Sequence, residues 1–399
     1  VLTPQERRAR RERRRRSVRR RRQIAALAAL ALLGAAAALA VSASGRGDTK
    51  RAATTDTGQT ESTSDAATTE AETTVAPKPK KPKPRGRLGS GRAVTLAFAG
   101  DTHFEGMIRP KLEADPASVL APIASVFKRS DLAMVNLETA VSNRGQPTPG
   151  KAYTFRAPPS AFAALKAGNV DLATIANNHG LDYGQTAFLD TLAYARRYRF
   201  PLVGGGLNSA QAYAPYRTTI KGQRIAILAA SQVIDSNLVS SWTAGPGKPG
   251  IASAYDVARL TAAVRSARKK ADTVAVYIHF GIERSGCPSS MQLDLARQLI
   301  AAGADIVVGS HAHQLQGAGR RASAFVDYGL GNFVWYSQSS AASTTTGVLK
   351  VTVTGRRIDS YSWVPARIVG GLPTPLGGSA RIEAIRSWNG LRSCTDLSR

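Results

Sequence analysis

The chain has 399 residues, 43% of them hydrophobic, with 54 Lys and Arg against 27 Asp and Glu, a formal net charge of +27. That length and apolar content exclude a wholly disordered chain and allow one large domain or two to three average ones. The charge is concentrated: twelve arginines lie between Arg7 and Arg22 and seven basic residues between Lys78 and Arg92, leaving roughly +13 from Ala93 onward. Charge alone therefore does not argue for a nucleic-acid partner, and none is expected.

Residues 1–22 read as a basic cytoplasmic tail. From Gln23 to Gly45 there is no charge, and residues 24–43 are apolar over about 20 positions, the length that spans a bilayer. Dense arginines before such a segment hold the N-terminus in the cytoplasm and export the chain downstream of it, so 23–45 is predicted to be a single-pass transmembrane signal-anchor in the cell membrane. Val41-Ser42-Ala43 also fits a signal-peptidase site, and a cleaved signal is the alternative. Residues 46–75 hold almost no large apolar side chain, and Pro77 to Pro84 alternates proline with lysine. The whole of 46–92 is thus expected to be a disordered linker ending in a semi-rigid stalk of roughly 3.1 Å per residue.

Residues 93–399 are the predicted folded domain. Apolar runs at Val94–Gly100, Leu132–Leu137, Leu172–Ala176, Thr273–Ile278 and Ile306–Val308 read as strands, with a short strand at Leu202-Val203 and a hairpin around Lys221-Gly222-Gln223. Helical spacing recurs at Ser118–Lys128, Pro159–Ala167, Gln185–Arg199, Tyr255–Arg268 and Met291–Ala302. Continuous apolar strands alternating with amphipathic helices predict an α/β fold with a covered sheet, and the β-rich stretch Ala324–Val364 predicts strands completing a second sheet. Cys287 and Cys394 are the two cysteines; in an exported protein such a pair can close as a disulfide, here between the C-terminal tail and the loop after His279.

The five histidines are the sharpest signal. His103, His179, His279, His311 and His313 all sit where a short apolar run ends, a habit that scattered core histidines would not keep. Gly100-Asp101-Thr102-His103 releases a carboxylate and an imidazole together, and Asn136-Leu137-Glu138 ends in a carboxylate whose two oxygens can bind separately. Asn177-Asn178-His179 pairs a neutral oxygen donor with a histidine free to handle protons. His279-x-Gly281-x-Glu283 and His311-Ala312-His313 complete the set, since a strand ending in His-x-His aims both rings to one side. In an α/β sheet such ends gather at one edge, where active sites form.

Together with Tyr328-Gly329-Leu330-Gly331-Asn332-Phe333 and Lys151 to Pro158, these motifs resemble in order and spacing those of the CapA-type capsule-synthesis proteins. That family is similar in turn to the calcineurin-like metallophosphoesterases. The resemblance covers roughly residues 93–336 and implies a four-layer α-β-β-α sandwich holding two divalent metal ions, Mn, Fe or Zn. One ion would take Asp101, His103 and His313, the other Asn178, His279 and His311, with Glu138 as the bridge. His179 would assist catalysis, Glu283 would act as a base or orient a histidine, and Tyr153 and Arg156 would hold an anionic substrate. The chain departs from the wider pattern at Glu138, where the superfamily uses aspartate. The function implied is a membrane-anchored extracytoplasmic hydrolase acting on a phosphoester or an envelope polymer, poly-gamma-glutamate included, within a capsule-synthesis complex. The alternative is a non-catalytic assembly or export factor that binds metal and an anionic envelope polymer.

Overall fold

The computed structural model describes residues 88–399. The tail, the apolar segment and the linker up to residue 87 lie outside them. Among the described residues no helix is long and apolar enough to cross a membrane.

In chain order the strands are β1 (Val94–Thr102), β2 (Leu132–Leu137), β3 (Ala140–Val141), β4 (Arg156–Ala157), β5 (Leu172–Thr174), β6 (Leu202–Val203), β7 (Gly205–Gly206), β8 (Tyr216–Ile220) and β9 (Gln223–Ser231). They continue as β10 (Gly250–Ile251), β11 (Thr273–Phe280), β12 (Ile306–His311), β13 (Ala318–Arg321), β14 (Ala324–Asp327), β15 (Asn332–Val334), β16 (Thr345–Thr354), β17 (Arg357–Val369) and β18 (Leu372–Pro375). Two mixed sheets result. The first runs β18-β17-β16-β1-β2-β5-β6, with β15 also paired to β1; the second runs β13-β14-β12-β11-β9-β8.

The sheets face one another across a shared core. Leu96, Phe98 and Met134 of the first sheet join Ile227, Ala275, Tyr277 and Val308 of the second in one buried cluster, and the Tyr277 hydroxyl donates across it to the Ala99 carbonyl at 3.1 Å. Because side chains alternate along a strand, Val274, Val276 and Ile278 point the other way. They meet Leu260 and Val264 of the helix Val257–Arg268 and Leu295 and Leu299 of the helix Ser290–Ala302. The helices Ala121–Lys128, Ser160–Ala167 and Gly184–Arg197 bury Phe127, Phe162 and Phe188 with the first sheet. Helix ends follow local chemistry: Asp256 caps one helix by accepting from the Arg259 amide, and Ser289 with Gln292 forms a capping box on the next.

Three features depart from the sequence reading. The helix expected over Ser118–Lys128 is a 3-10 turn, Pro116–Val119, followed by a helix that starts at Ala121, because Pro122 supplies no N–H to continue the preceding turn. Of the β-rich stretch 324–364, only β14 joins the second sheet; β15, β16 and β17 complete the first, the chain crossing between sheets through Tyr328 to Gly331. The helix Gly378–Gly390, to which the sequence reading assigned no element, packs Ala384, Ile385 and Trp388 on the core, Trp388 stacking on Trp363 at 5.6 Å. The cysteines close a disulfide between residues 107 apart, with Cα atoms 5.7 Å from each other.

Candidate metal centre

Strands β1, β2 and β5 are mutually parallel, as are β11 and β12, so their carboxyl ends emerge at common edges. Register aligns the chemistry: Asp101 pairs with Asn136, Asn136 with Thr174, His279 with Ser310, and Phe280 with His311. Two glycines make the approach possible. A Cβ on Gly100 would lie 1.8 Å from the Gly331 carbonyl oxygen, and one on Gly309 would lie 2.2 Å from the Phe280 ring.

Asp101, Glu138 and His279 are fully buried, and His311 is 5% exposed. Donor atoms of Asp101, Glu138 and His279 lie within 4.8 Å of one another, and so do those of Glu138, His311 and His313. Glu138 is the member common to both groups, the position expected of a bridge. Asn178 joins them through Oδ1, 2.7 Å from His279 Nε2. Asp101 groups with His279 and His311 with His313, while His313 Nδ1 is also 3.3 Å from Asp101 Oδ2 and Asn178 is in contact with His279, so the donors form one continuous cluster.

Asn136 organises the cluster. Its Nδ2 donates to Asp101 Oδ1 at 2.8 Å and lies 3.1 Å from His279 Nδ1, while its Oδ1 accepts from Asn177 Nδ2 at 2.8 Å. Asn332 Oδ1 is 2.9 Å from His313 Nδ1 and orients that ring. His311 and His313 hold φ of 99° and 56°, conformations that cost about 1–3 kcal/mol each and persist where surrounding contacts fix them. Here those contacts are the His311 amide donating to Asp101 Oδ2 at 3.2 Å and Asn332 Nδ2 donating to the His313 carbonyl.

Electrostatics show what the site lacks on its own. Burial, with the neighbouring Asp101 charge, pushes the Glu138 carboxyl well above its usual range, and Glu138 Oε1 has no hydrogen-bond partner. Burial pulls the His311 imidazole down to about 3, so the ring is neutral, and His311 Nδ1 is likewise unpartnered. A buried carboxylate oxygen and a neutral imidazole nitrogen facing common space without a partner fit a divalent cation, which would offset the desolvation that disfavours the ionised carboxylate.

His179 stands beside the cluster, with Nε2 3.8 Å from Glu138 Oε1. Its Nδ1 is 2.5 Å from Asp182 Oδ2, and Asp182 Oδ1 is 2.6 Å from Lys151 Nζ. The motif reading did not single out Asp182, which stands three positions after the histidine and meets it only through the folded turn. His103 is buried in an aromatic box, stacked on Phe155 at 4.5 Å and edge-on to Trp335 at 4.3 Å. Both its ring nitrogens face backbone N–H groups, Glu105 at 3.0 Å and Tyr336 at 3.4 Å, and it falls in neither donor group. Tyr153 and Glu283 line a cavity of about 350 Å³ over the cluster, together with His179, Arg284, His313 and Trp335. Arg156 packs over the Tyr183 ring at 4.4 Å and does not line that cavity.

The family model for the bacterial capsule synthesis protein PGA_cap matches residues 95–337. The chain belongs to that family. Among its relatives, the PGA biosynthesis protein CapA of Bacillus subtilis (strain 168) is 28% identical over 286 residues, covering 69% of this chain and 74% of that protein. Two solved structures overlay on it: a hypothetical protein from Thermus thermophilus (15% identity, TM-score 0.44, 68% of this chain and 99% of that one) and a dimetal phosphatase from Danio rerio (11%, 0.33, 67% and 98%). In this PGA_cap member every residue of both donor groups, from Asp101 to His313, falls inside the matched region, as does the His179–Asp182 pair.

Proposed function

We propose that this PGA_cap protein is an extracytoplasmic metal-dependent hydrolase, anchored by residues 23–45, that cleaves a phosphoester or an envelope polymer such as poly-gamma-glutamate during capsule biosynthesis. The observation that carries the reading is the sharing of Glu138 between two donor groups, one of which reaches through His313 a cavity that His179 also lines. Asp101, Glu138, Asn178, His279, His311 and His313 would hold two cations of the Mn, Fe or Zn type, since mixed oxygen and nitrogen donors suit those ions better than Ca. When bound, such a pair supplies an acidified water and charge stabilisation at the attacked centre.

The chain's own residues supply the rest. Asp182 accepts from His179 Nδ1 and so fixes the tautomer that leaves Nε2 directed at Glu138 and the cavity. Lys151, its side chain 6% exposed, pairs with Asp182 and counters part of the desolvation that pushes that carboxyl up to about 7. Burial also holds the His179 imidazole well below its usual value, so the ring is neutral and Nε2 presents a lone pair placed to take up a proton from the attacking water. Phe155 and Trp335, packed around His103, keep water from that flank of the centre.

The test is turnover of a phosphodiester and of poly-gamma-glutamate by metal-loaded wild type, His179→Ala and His311→Ala. Wild-type hydrolysis abolished in both variants supports the reading. Full metal occupancy with no turnover on either substrate would instead favour the non-catalytic assembly role.

A further inference from the structure

Because the strands that build the metal centre are parallel and present their carboxyl ends to it, their amino ends form the opposite edge of the domain. There the two sheets interlock: Thr273 donates to the Gly355 carbonyl, and Gln223 Oε1 accepts from the Gly355 amide at 2.6 Å. Leu88, the first described residue, lies at this edge and helps to line a cavity of about 450 Å³ with Arg320, Arg356 and Arg357. A second concavity of about 340 Å³, at the starts of β2, β5 and β6, carries Lys128, Lys166 and Arg199.

The acids here offset only part of this charge: among the described residues Lys128, Lys166, Arg199 and Arg320 have no carboxylate partner. Asp305 pairs with both Arg268 and Arg356, and Asp359 pairs with Arg357 at 2.6 Å, which orders these guanidinium groups at the edge. Asp171 accepts from the Ala133 amide, and Asp131 from Lys221 and the Thr95 amide. Sequence adds to the same end: residues 78–87, which lead into Leu88, contain six Lys and Arg, and the uncharged stretch of bilayer length lies upstream of them.

We propose that this edge is a docking surface for an anionic phospholipid membrane, the membrane that carries the chain. The proposal rests on the anchored reading above. It favours lipid over other polyanions because an anchor before residue 46 tethers this edge, through a linker of some 40 residues, to a phosphate-rich surface, and tethering makes weak electrostatic contacts effective. Docked this way, the metal centre at the far edge faces away from the bilayer, toward polymer.

The test uses Leu88–Arg399, whose cores and disulfide close within it and which lacks both the apolar segment and the basic stalk. Co-sedimentation with vesicles of phosphatidylcholine alone, or with added phosphatidylglycerol, is measured at low and high salt. Binding is expected to anionic vesicles only and to weaken steeply with salt. At roughly fivefold per basic side chain near the surface, Arg320→Gln/Arg357→Gln and Lys128→Gln/Lys166→Gln/Arg199→Gln should each weaken it by about tenfold or more. Arg381→Gln/Arg386→Gln, on the C-terminal helix, should change it by less than about twofold. No binding to anionic vesicles at low salt, equal binding to neutral vesicles, an equal loss in the helix variant, or displacement from anionic vesicles by soluble polyglutamate would each overturn the proposal. Metal content and turnover of the edge variants should match wild type, which separates this result from the hydrolase reading, and membrane fractionation of the full chain tests the anchor independently.

Discussion

Glu138 places a carboxyl with one unpartnered oxygen in a fully buried position beside a second carboxyl, Asp101. A purely structural role would be met better by an apolar side chain, since an unsatisfied buried polar group costs about 1–3 kcal/mol. Glu138→Gln should therefore lose bound metal without lowering the stability of the metal-free protein, as metal analysis and denaturant unfolding would show together. Asn136 acts through its neighbours, and Asn136→Ala should weaken metal affinity by about 10–100-fold in a competition titration. His179→Ala and Asp182→Asn should keep their metal yet lower kcat by roughly 10²-fold or more; a loss of metal from either would mean that the pair supports the centre structurally. The ligand types could be read from sequence because each closes an apolar run. Asp182 and the box around His103 could not, because they depend on a turn and on rings from residues 155, 335 and 336 that meet only in the fold.

At the scale of the elements, the disulfide ties the loop carrying Glu283 and Arg284 to the end of the chain. Reduction, or Cys287→Ser with Cys394→Ser, should destabilise the domain by roughly 2–5 kcal/mol, read from the shift in denaturant midpoint. Asp327 ends β14 where the chain crosses between sheets; burial pushes its carboxyl up to about 8, with Oδ2 unpartnered. A carboxyl whose folded pKa exceeds its unfolded value holds its proton more tightly when folded, so its unfavourable contribution grows as pH rises from the usual carboxylate range toward 8. Asp327→Asn should remove that dependence and raise stability by about 1–3 kcal/mol at pH 8.5, with little change at pH 4. The parallel strands and their helices were readable because period and caps agree there. The fate of 324–364 was not: the pattern marks strands, but pairing is decided by the Tyr328–Gly331 crossing, whose glycines look the same in either sheet.

For the whole molecule, two sheets that share a core bring residues more than 200 positions apart, Asp101 and His313, to within 3.3 Å. Bound cations should therefore stabilise both sheets at once, and chelation should lower the melting temperature in a manner that depends on free metal concentration. The most direct measurement is the metal content of purified Leu88–Arg399 after dialysis against Mn, Fe or Zn. About two ions per chain, falling sharply in both Glu138→Gln and His311→Ala, is the outcome predicted; a folded wild-type domain that retains none of these cations would contradict it.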